Sequence, residues 1–233
     1  MIFGKIDYIN LLPLHIYLKK YPLPNGFKAA FEYKKAVPSK LNKDLFYRRI
    51  DAAFVSSIES ARKKYKNLNL GICARGHVWS VLVEKNTPMQ KDLSSASSNA
   101  LAEILGARGR VIIGDRALAL YCQDEDRYVD LCALWYEKTG LPFVFARFSC
   151  TQKKIIYAKI LKNFTQKKIK IPRYILENYA QDRNICSHKI RLYLNEVIYY
   201  KIGFREELAL RCFIRAVRFK FQCSRAPSIP TPL

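Results

Sequence analysis

The sequence predicts an α/β fold whose sheet is mostly parallel and whose chain is shared between two lobes. Three observations carry this. Strand-like and helical apolar patterns alternate through the first third, turn-rich stretches interrupt the pattern twice, and the last third reads almost entirely as helix.

In order, Ile2 to Asn10 reads as a strand and Leu11 to Lys20 as a helix closed by the Pro-Leu-Pro-Asn-Gly turn. Phe27 to Val37 reads as a second strand, and Ser39 suits the cap of a helix through Arg49. Asp51 to Val55 is a short apolar strand ending in Ser56-Ser57, followed by a helix over Ile58 to Tyr65. Strands over Leu68 to Ala74 and Val78 to Glu84 come next, then a linker over Lys85 to Leu93. After the serine cluster at 94–99, Ala100 to Leu105 is helical and stops at Gly106. Val111 to Ile113 is a strand, Gly114 opens a helix, and Pro142 to Ser149 is another strand. The expected lobes are 1–84 and a shortened 85–150. A helical part, 151–222, returns to lobe one, and a Pro/Ser-rich tail at 223–233 is too polar to pack.

The 233 residues carry a formal net charge of +22, and half are hydrophobic. Such charge invites a nucleic-acid reading, but the basic residues are dispersed and no zinc-finger, RNP or basic-zipper pattern accompanies them. The densest stretch, Gln152 to Lys170, places Ile155, Ile156, Ile160, Leu161 and Phe164 at helical spacing with lysines between them, as on a solvated amphipathic helix. The expected role of the charge is to steer a small anion, with no nucleic-acid partner.

The seven cysteines form no C-x-x-C pair, and His15, His77 and His188 are far apart in sequence, so neither disulfides nor a metal site is expected. No secretion signal is evident around Ile2-Phe3, and no apolar run approaches the ~20 residues that span a bilayer. A cytoplasmic protein without a membrane partner is expected. The chain also lacks the G-x-S-x-G elbow, the P-loop and G-x-G-x-x-G, which leaves covalent hydrolysis and dinucleotide binding unsupported.

In α/β folds, ligands bind beyond the carboxyl ends of strands, where helices begin. Asn10 and Ser56-Ser57 stand at such ends, and Ser80 lies within its strand. The serine cluster precedes a helix with no acidic residue before Glu103, a start that favours an anion. Each of these residues also has an ordinary job as a helix cap. Spacing alone points to a cleft for a small anion and stops there.

Taken in order, G-K-I-D-Y-I-N-L-L-P-L, V-P-S-K-L-N, D-A-A-F-V-S-S-I-E, W-S-V-L-V, V-I-I-G-D-R-A-L and L-P-F-V-F-A resemble the chorismate dehydratase family of the futalosine route to menaquinone. The likeness runs from Gly4 to about Phe148 and continues more weakly through Y-L-N-E-V-I-Y-Y-K-I-G. The resemblance implies a fold like the type II periplasmic binding proteins, with chorismate between the lobes and neither cofactor nor metal. It places Asn10 against the substrate, Ser80 in the cleft with a catalytic share, and Ser56 and Ser57 facing the cleft. Ser97, Ser98 and Asn99 fall at the polar start of the second-lobe helix. Lys91 to Ser98 is shorter than the family pattern, which implies a trimmed second lobe.

The implied reaction is loss of water from chorismate to give 3-[(1-carboxyvinyl)oxy]benzoate. The sister dihydroxynaphthoate synthase would show a C-P-N-D-T-F type opening, which Tyr8 to Pro13 is not. A non-catalytic binding protein of the same fold is the other alternative.

Overall fold

The computed structural model describes residues 1–26, 28–29, 34–166 and 169–223. Its strands form two sheets, one per lobe. The first has the order β1 (Phe3–Gly4), β2 (Ala52–Ser56), β7 (Phe143–Cys150), β3 (Lys66–Ala74) and β8 (Ile198–Lys201). In the second, β4 (Val81–Glu84) lies between β5 (Arg110–Ile113) and β6 (Tyr128–Asp130).

The helices are α1 (Leu12–Lys20), α2 (Pro38–Phe46), α3 (Ser57–Ser60), α4 (Ala96–Leu105), α5 (Gly114–Gln123), α6 (Leu131–Thr139), α7 (Lys154–Leu161), α8 (Arg173–Arg183), α9 (Ser187–Leu192) and α10 (Phe204–Cys223). A π-helical turn, Tyr193–Val197, joins α9 to β8.

The α/β class and the two-sheet division match the expectation, but the sheets are not mostly parallel. β1 and β2 pair in parallel, whereas every other pairing of the described strands is antiparallel. The cause is one insertion. β2 and β3 run the same way, as strand–helix alternation demands, but β7 returns from the second lobe and wedges between them against both. Alternation along a chain predicts direction only while consecutive strands remain neighbours.

The lobe boundary shifts for a related reason. The expected boundary between 84 and 85 lies earlier, between β3 and β4, because among the described residues β4 pairs with strands of the second sheet. β7 likewise belongs to the first sheet, not to lobe two.

Of the cap signals, the Gly106 stop holds, while α4 starts at Ala96 and not at the expected Ala100. Ser95 caps α4, its side chain accepting from the Ser98 amide, and Gly106 ends the helix in the left-handed conformation at φ 72°. α2 begins at Pro38, so Ser39 is not its cap. The expected strand over Phe27 to Val37 is replaced by helical turns at 25–26 and 28–29 and a single parallel bridge from Lys35 to Lys5; residues 27 and 30–33 lie outside the described residues. α3 is one turn long, well short of Tyr65. In α7, Ile155 and Ile156 are exposed, and Tyr157, Ile160 and Leu161 face inward. β8 interrupts the region read as almost all helix, and residues 224–233 of the expected tail lie outside the described residues.

Two apolar cores hold the halves. Phe54, Phe148 and Tyr157 pack between the first sheet and its helices, with Phe148 edge-on to Phe54 at 5.5 Å. The other core joins Leu101, Trp135 and Phe143 to Phe213 of α10, and also takes in Ile9 and Leu12 from lobe one. It therefore spans the seam.

His15 lies buried in α1, and neither ring nitrogen has a hydrogen-bond partner. Burial, then the charges of Lys5, Lys35 and Lys19, hold its pKa well below the ordinary 6.5. The folded chain thus keeps His15 neutral, while the unfolded chain takes up a proton below about 6.5. Stability is therefore lost as pH falls through that value, by up to ~1.4 kcal/mol per pH unit. Urea unfolding between about pH 7.5 and 5 should show this slope in the native chain and a shallower one in His15→Leu; equal slopes would assign it to another group.

Candidate functional site

A hollow opens along the seam between the two sheets, with an empty volume of about 590 Å³ that is partly open to solvent. Its walls are apolar: Ile6, Phe54, Ile72 and Phe145 from one side, Val78, Val81 and Ile113 from the other. Its polar groups are Tyr8, Asn10, Ser56, Ser80, Ser95 and Ser98. No described residue lining it carries a charge.

Helix beginnings converge on this space. Pro38 opens α2, Ser95 caps α4, Gly114 opens α5, and Asn10 sits in the 3-10 turn Ile9–Leu11 that leads into α1. Neither α2 nor α4 has an acidic residue in its first turn. The positive ends of the α2 and α4 dipoles therefore supply the field that an anion would feel, whereas α5 carries Asp115 in its first turn.

Ser80 is placed from behind by a buried carboxylate. Asp130 caps α6, one oxygen accepting from the amides of Cys132 at 2.8 Å and Ala133 at 3.1 Å. The other oxygen accepts from Val78 at 2.8 Å and Trp79 at 2.7 Å. Burial raises the Asp130 pKa while those four amides pull against the rise. Trp79 is held in the left-handed region at φ 60°, a strained conformation for a bulky side chain, and its ring stacks on Tyr121 at 5.8 Å. Ser80 follows directly, its Oγ 2.9 Å from the Tyr193 hydroxyl.

Asn10 is gripped through its backbone, whose carbonyl accepts from the Tyr200 hydroxyl at 2.6 Å. Its side-chain Oδ1 is buried and has no partner. An amide oxygen withdrawn from water and left unpaired costs free energy until something donates to it. On the facing wall, Asn42 brackets Ser56, accepting from its amide at 3.3 Å and donating to its Oγ at 3.2 Å.

The structure thus brings Asn10, Ser56, Ser80 and Ser98 around one hollow. Ser57, Ser97 and Asn99 are spent elsewhere. Ser57 donates to the Val144 carbonyl, tying α3 to β7. Ser97 Oγ accepts from the Ile58 amide at 3.1 Å and so joins α4 to lobe one. Asn99 forms a two-way clasp with the backbone of Asp92, fixing the 92–99 loop. Sequence reasoning passed over Ser95, Tyr8 and Tyr193. Burial, then Asp92 and Asp115, push the Tyr8 phenol up to about 12, so it stays a donor at neutral pH.

The seam is closed by contacts that leave no slack. Gly114 sits at φ 70°, and a Cβ there would meet the Tyr8 ring at 2.9 Å. The neighbouring Asp115 accepts from the Ile9 amide at 2.8 Å and pairs with Arg183, which also donates to the Asp7 carbonyl. Among the described residues no three His, Cys, Asp or Glu side chains group as a metal site would need, and no helix is long and apolar enough to cross a membrane.

A family model described as menaquinone biosynthesis matches residues 1–102 and 95–218. The chain belongs to this family. A curated relative from Campylobacter jejuni, named chorismate dehydratase, is 70% identical over 218 residues, covering 94% of this chain and 98% of the relative. A crystallised protein of Archaeoglobus fulgidus superposes with a TM-score of 0.69 at 11% identity, covering 94% of this chain and 97% of its own. The periplasmic aliphatic sulphonate binding protein of Escherichia coli does so at 0.52 and 12%, covering 100% and 93%. These two likenesses show the fold, which is that of the periplasmic binding proteins.

Asp130→Asn keeps the size but puts an NH₂ against amides that need an acceptor. The expected cost is roughly 2–3 kcal/mol of stability, read from urea unfolding, together with loss of order at Trp79 read from its fluorescence. Unchanged stability would show that the four bonds are dispensable.

Proposed function

We propose that this chain is a chorismate dehydratase, a carbon–oxygen lyase that converts chorismate to 3-[(1-carboxyvinyl)oxy]benzoate on the futalosine route to menaquinone. The observation that carries the reading is the 70% identity, across nearly the whole of both chains, to a relative of that name. The uncharged hollow supports it chemically. A cytoplasmic setting belongs to the same reading and agrees with the six free cysteines among the described side chains.

Chorismate is a ring with two carboxylates, and the hollow offers neutral donors and helix starts in place of cations. That difference shapes the mechanism. An arginine paired to the enolpyruvyl carboxylate would lower its basicity, whereas hydroxyls and amides leave it able to take a proton. In this reading the carboxylate removes the proton from the ring carbon that bears the ether. The C–H electrons enter the ring and delocalise towards the ring carboxylate. The C–O bond to the adjacent hydroxyl then breaks, and the departing oxygen leaves as water with the proton that the carboxylate took. Aromaticity drives the step. The chain's own contribution is orientation and stabilisation of that spread charge. Asn10 and Ser80 face the reacting edge, and Ser56, Ser95 and Ser98 hold the remaining oxygens. Ser57, Ser97 and Asn99 keep the supporting roles their bonds assign them.

Incubation of the purified chain with chorismate should yield an aromatic product lighter by one water, followed by ultraviolet absorption and mass. Asn10→Leu should lower kcat/KM by roughly 100-fold or more while the fold persists. Chorismate bound without product would mark a non-catalytic binding protein, and normal turnover by Asn10→Leu would remove that residue from the mechanism.

A further inference from the structure

The π-helical turn Tyr193–Val197 lies far from Asn10 and Ser80 in sequence, yet it delivers a phenol between them. Tyr193 is buried, with 1% of its surface exposed. Its hydroxyl meets Ser80 Oγ at 2.9 Å, and the Asn10 amide lies near enough to pull against the rise that burial gives its pKa. Its ring stacks at 6.5 Å on Trp79, the residue held in the strained left-handed conformation just before Ser80. A π-helical turn and a left-handed tryptophan are both unfavourable locally, and both serve to place this one contact.

We infer that Tyr193 is a positioning residue for the dehydration: its hydroxyl fixes the Ser80 hydroxyl and the Asn10 amide as a pair aimed at the substrate's departing oxygen. The inference rests on the proposed reaction and adds to it. A serine hydroxyl rotates freely unless a neighbour sets it. When Tyr193 donates to Ser80 Oγ, the serine proton is left to point into the hollow, towards the oxygen that leaves. Asn10 Oδ1, buried without a partner, is then the acceptor for the hydrogen on that same oxygen in the ground state. Donor and acceptor together define one position for a hydroxyl. Ser80 and Tyr193 each keep their own proton, and the water formed carries the proton abstracted from the ring carbon. Burial raises the Tyr193 pKa, which agrees with a phenol that stays neutral beside a dianion.

The experiment compares the native chain, Tyr193→Phe, Ser80→Ala and the double variant with chorismate. Tyr193→Phe keeps the ring in its packing and removes only the hydroxyl. Its kcat should fall roughly 10–100-fold with KM changed less than about threefold, because the lost interaction matters most as the C–O bond breaks. In the Ser80→Ala background the same change should cost less than about threefold, since the group it positions is already gone. Multiplicative losses, or a native kcat in Tyr193→Phe, would overturn the inference. If Tyr193→Phe fails to fold, 3-fluorotyrosine incorporated at position 193 preserves the hydroxyl and alters its donor strength. A changed kcat then supports the role and an unchanged kcat overturns it. An inactive native chain would instead count against the proposed reaction, so the two failures are distinguishable.

Discussion

The carboxylate of Asp130 is the interaction from which the rest of the site is built. It is a charge taken out of water, and it is tolerable only because four backbone amides point at it. Two of those amides start α6; the other two belong to the segment where the chain passes from the first sheet to the second. One side chain therefore fixes a helix in lobe two and the crossing itself. Trp79, whose amide is one of the four, lies in the left-handed region, and Ser80 follows it at the wall of the hollow.

From Ser80 the order spreads to the C-terminal part of the chain. Tyr193 and Tyr200 lie seven residues apart, on either side of the change from π-helical turn to strand, and they engage Ser80 and the Asn10 carbonyl respectively. β8 adds to the first sheet beside β3, which holds Tyr200 to the strand leading into the crossing. Residues past 150 thus do more than cover lobe one. They brace the two groups that face the proposed reacting edge, and they do so with neutral hydroxyls. In the proposed mechanism a lysine or arginine in the same places would bind the dianion more strongly and lower the basicity of the substrate carboxylate that takes the proton.

Much of this was legible locally. Gly106 ends α4 by cap chemistry that any reader of the sequence can apply, whereas the pattern placed the start at Ala100 and not after Ser95; the strand–helix alternation gave the correct class. What escaped was set by distance. The antiparallel character of the first sheet depends on β7 entering between β2 and β3 after an excursion of some seventy residues, which no local pattern encodes. Within the serine cluster, 97, 98 and 99 share composition, but only Ser98 lines the hollow, because α4 turns its neighbours to Ile58 and Asp92. Tyr193 was unreadable because a π-helical turn shifts the face on which each side chain lands.

The same geometry explains how a strongly basic chain can keep a hollow free of cations. Among the described Lys and Arg residues, all but Lys5 and Arg147 are at least partly exposed, and charge so placed raises the local concentration of anions around the molecule. Inside, selection passes to short-range groups. In the proposed site the apolar walls favour a ring, the helix starts favour its carboxylates, and the unpaired Asn10 oxygen takes a hydrogen bond from the ligand. A simple sulphonate, which has no hydrogen to donate, would satisfy the helix starts and leave that oxygen unpaired. A ring bearing two carboxylates and one hydroxyl satisfies all three conditions, and the group that answers the Asn10 oxygen is the hydroxyl that the proposed chemistry expels.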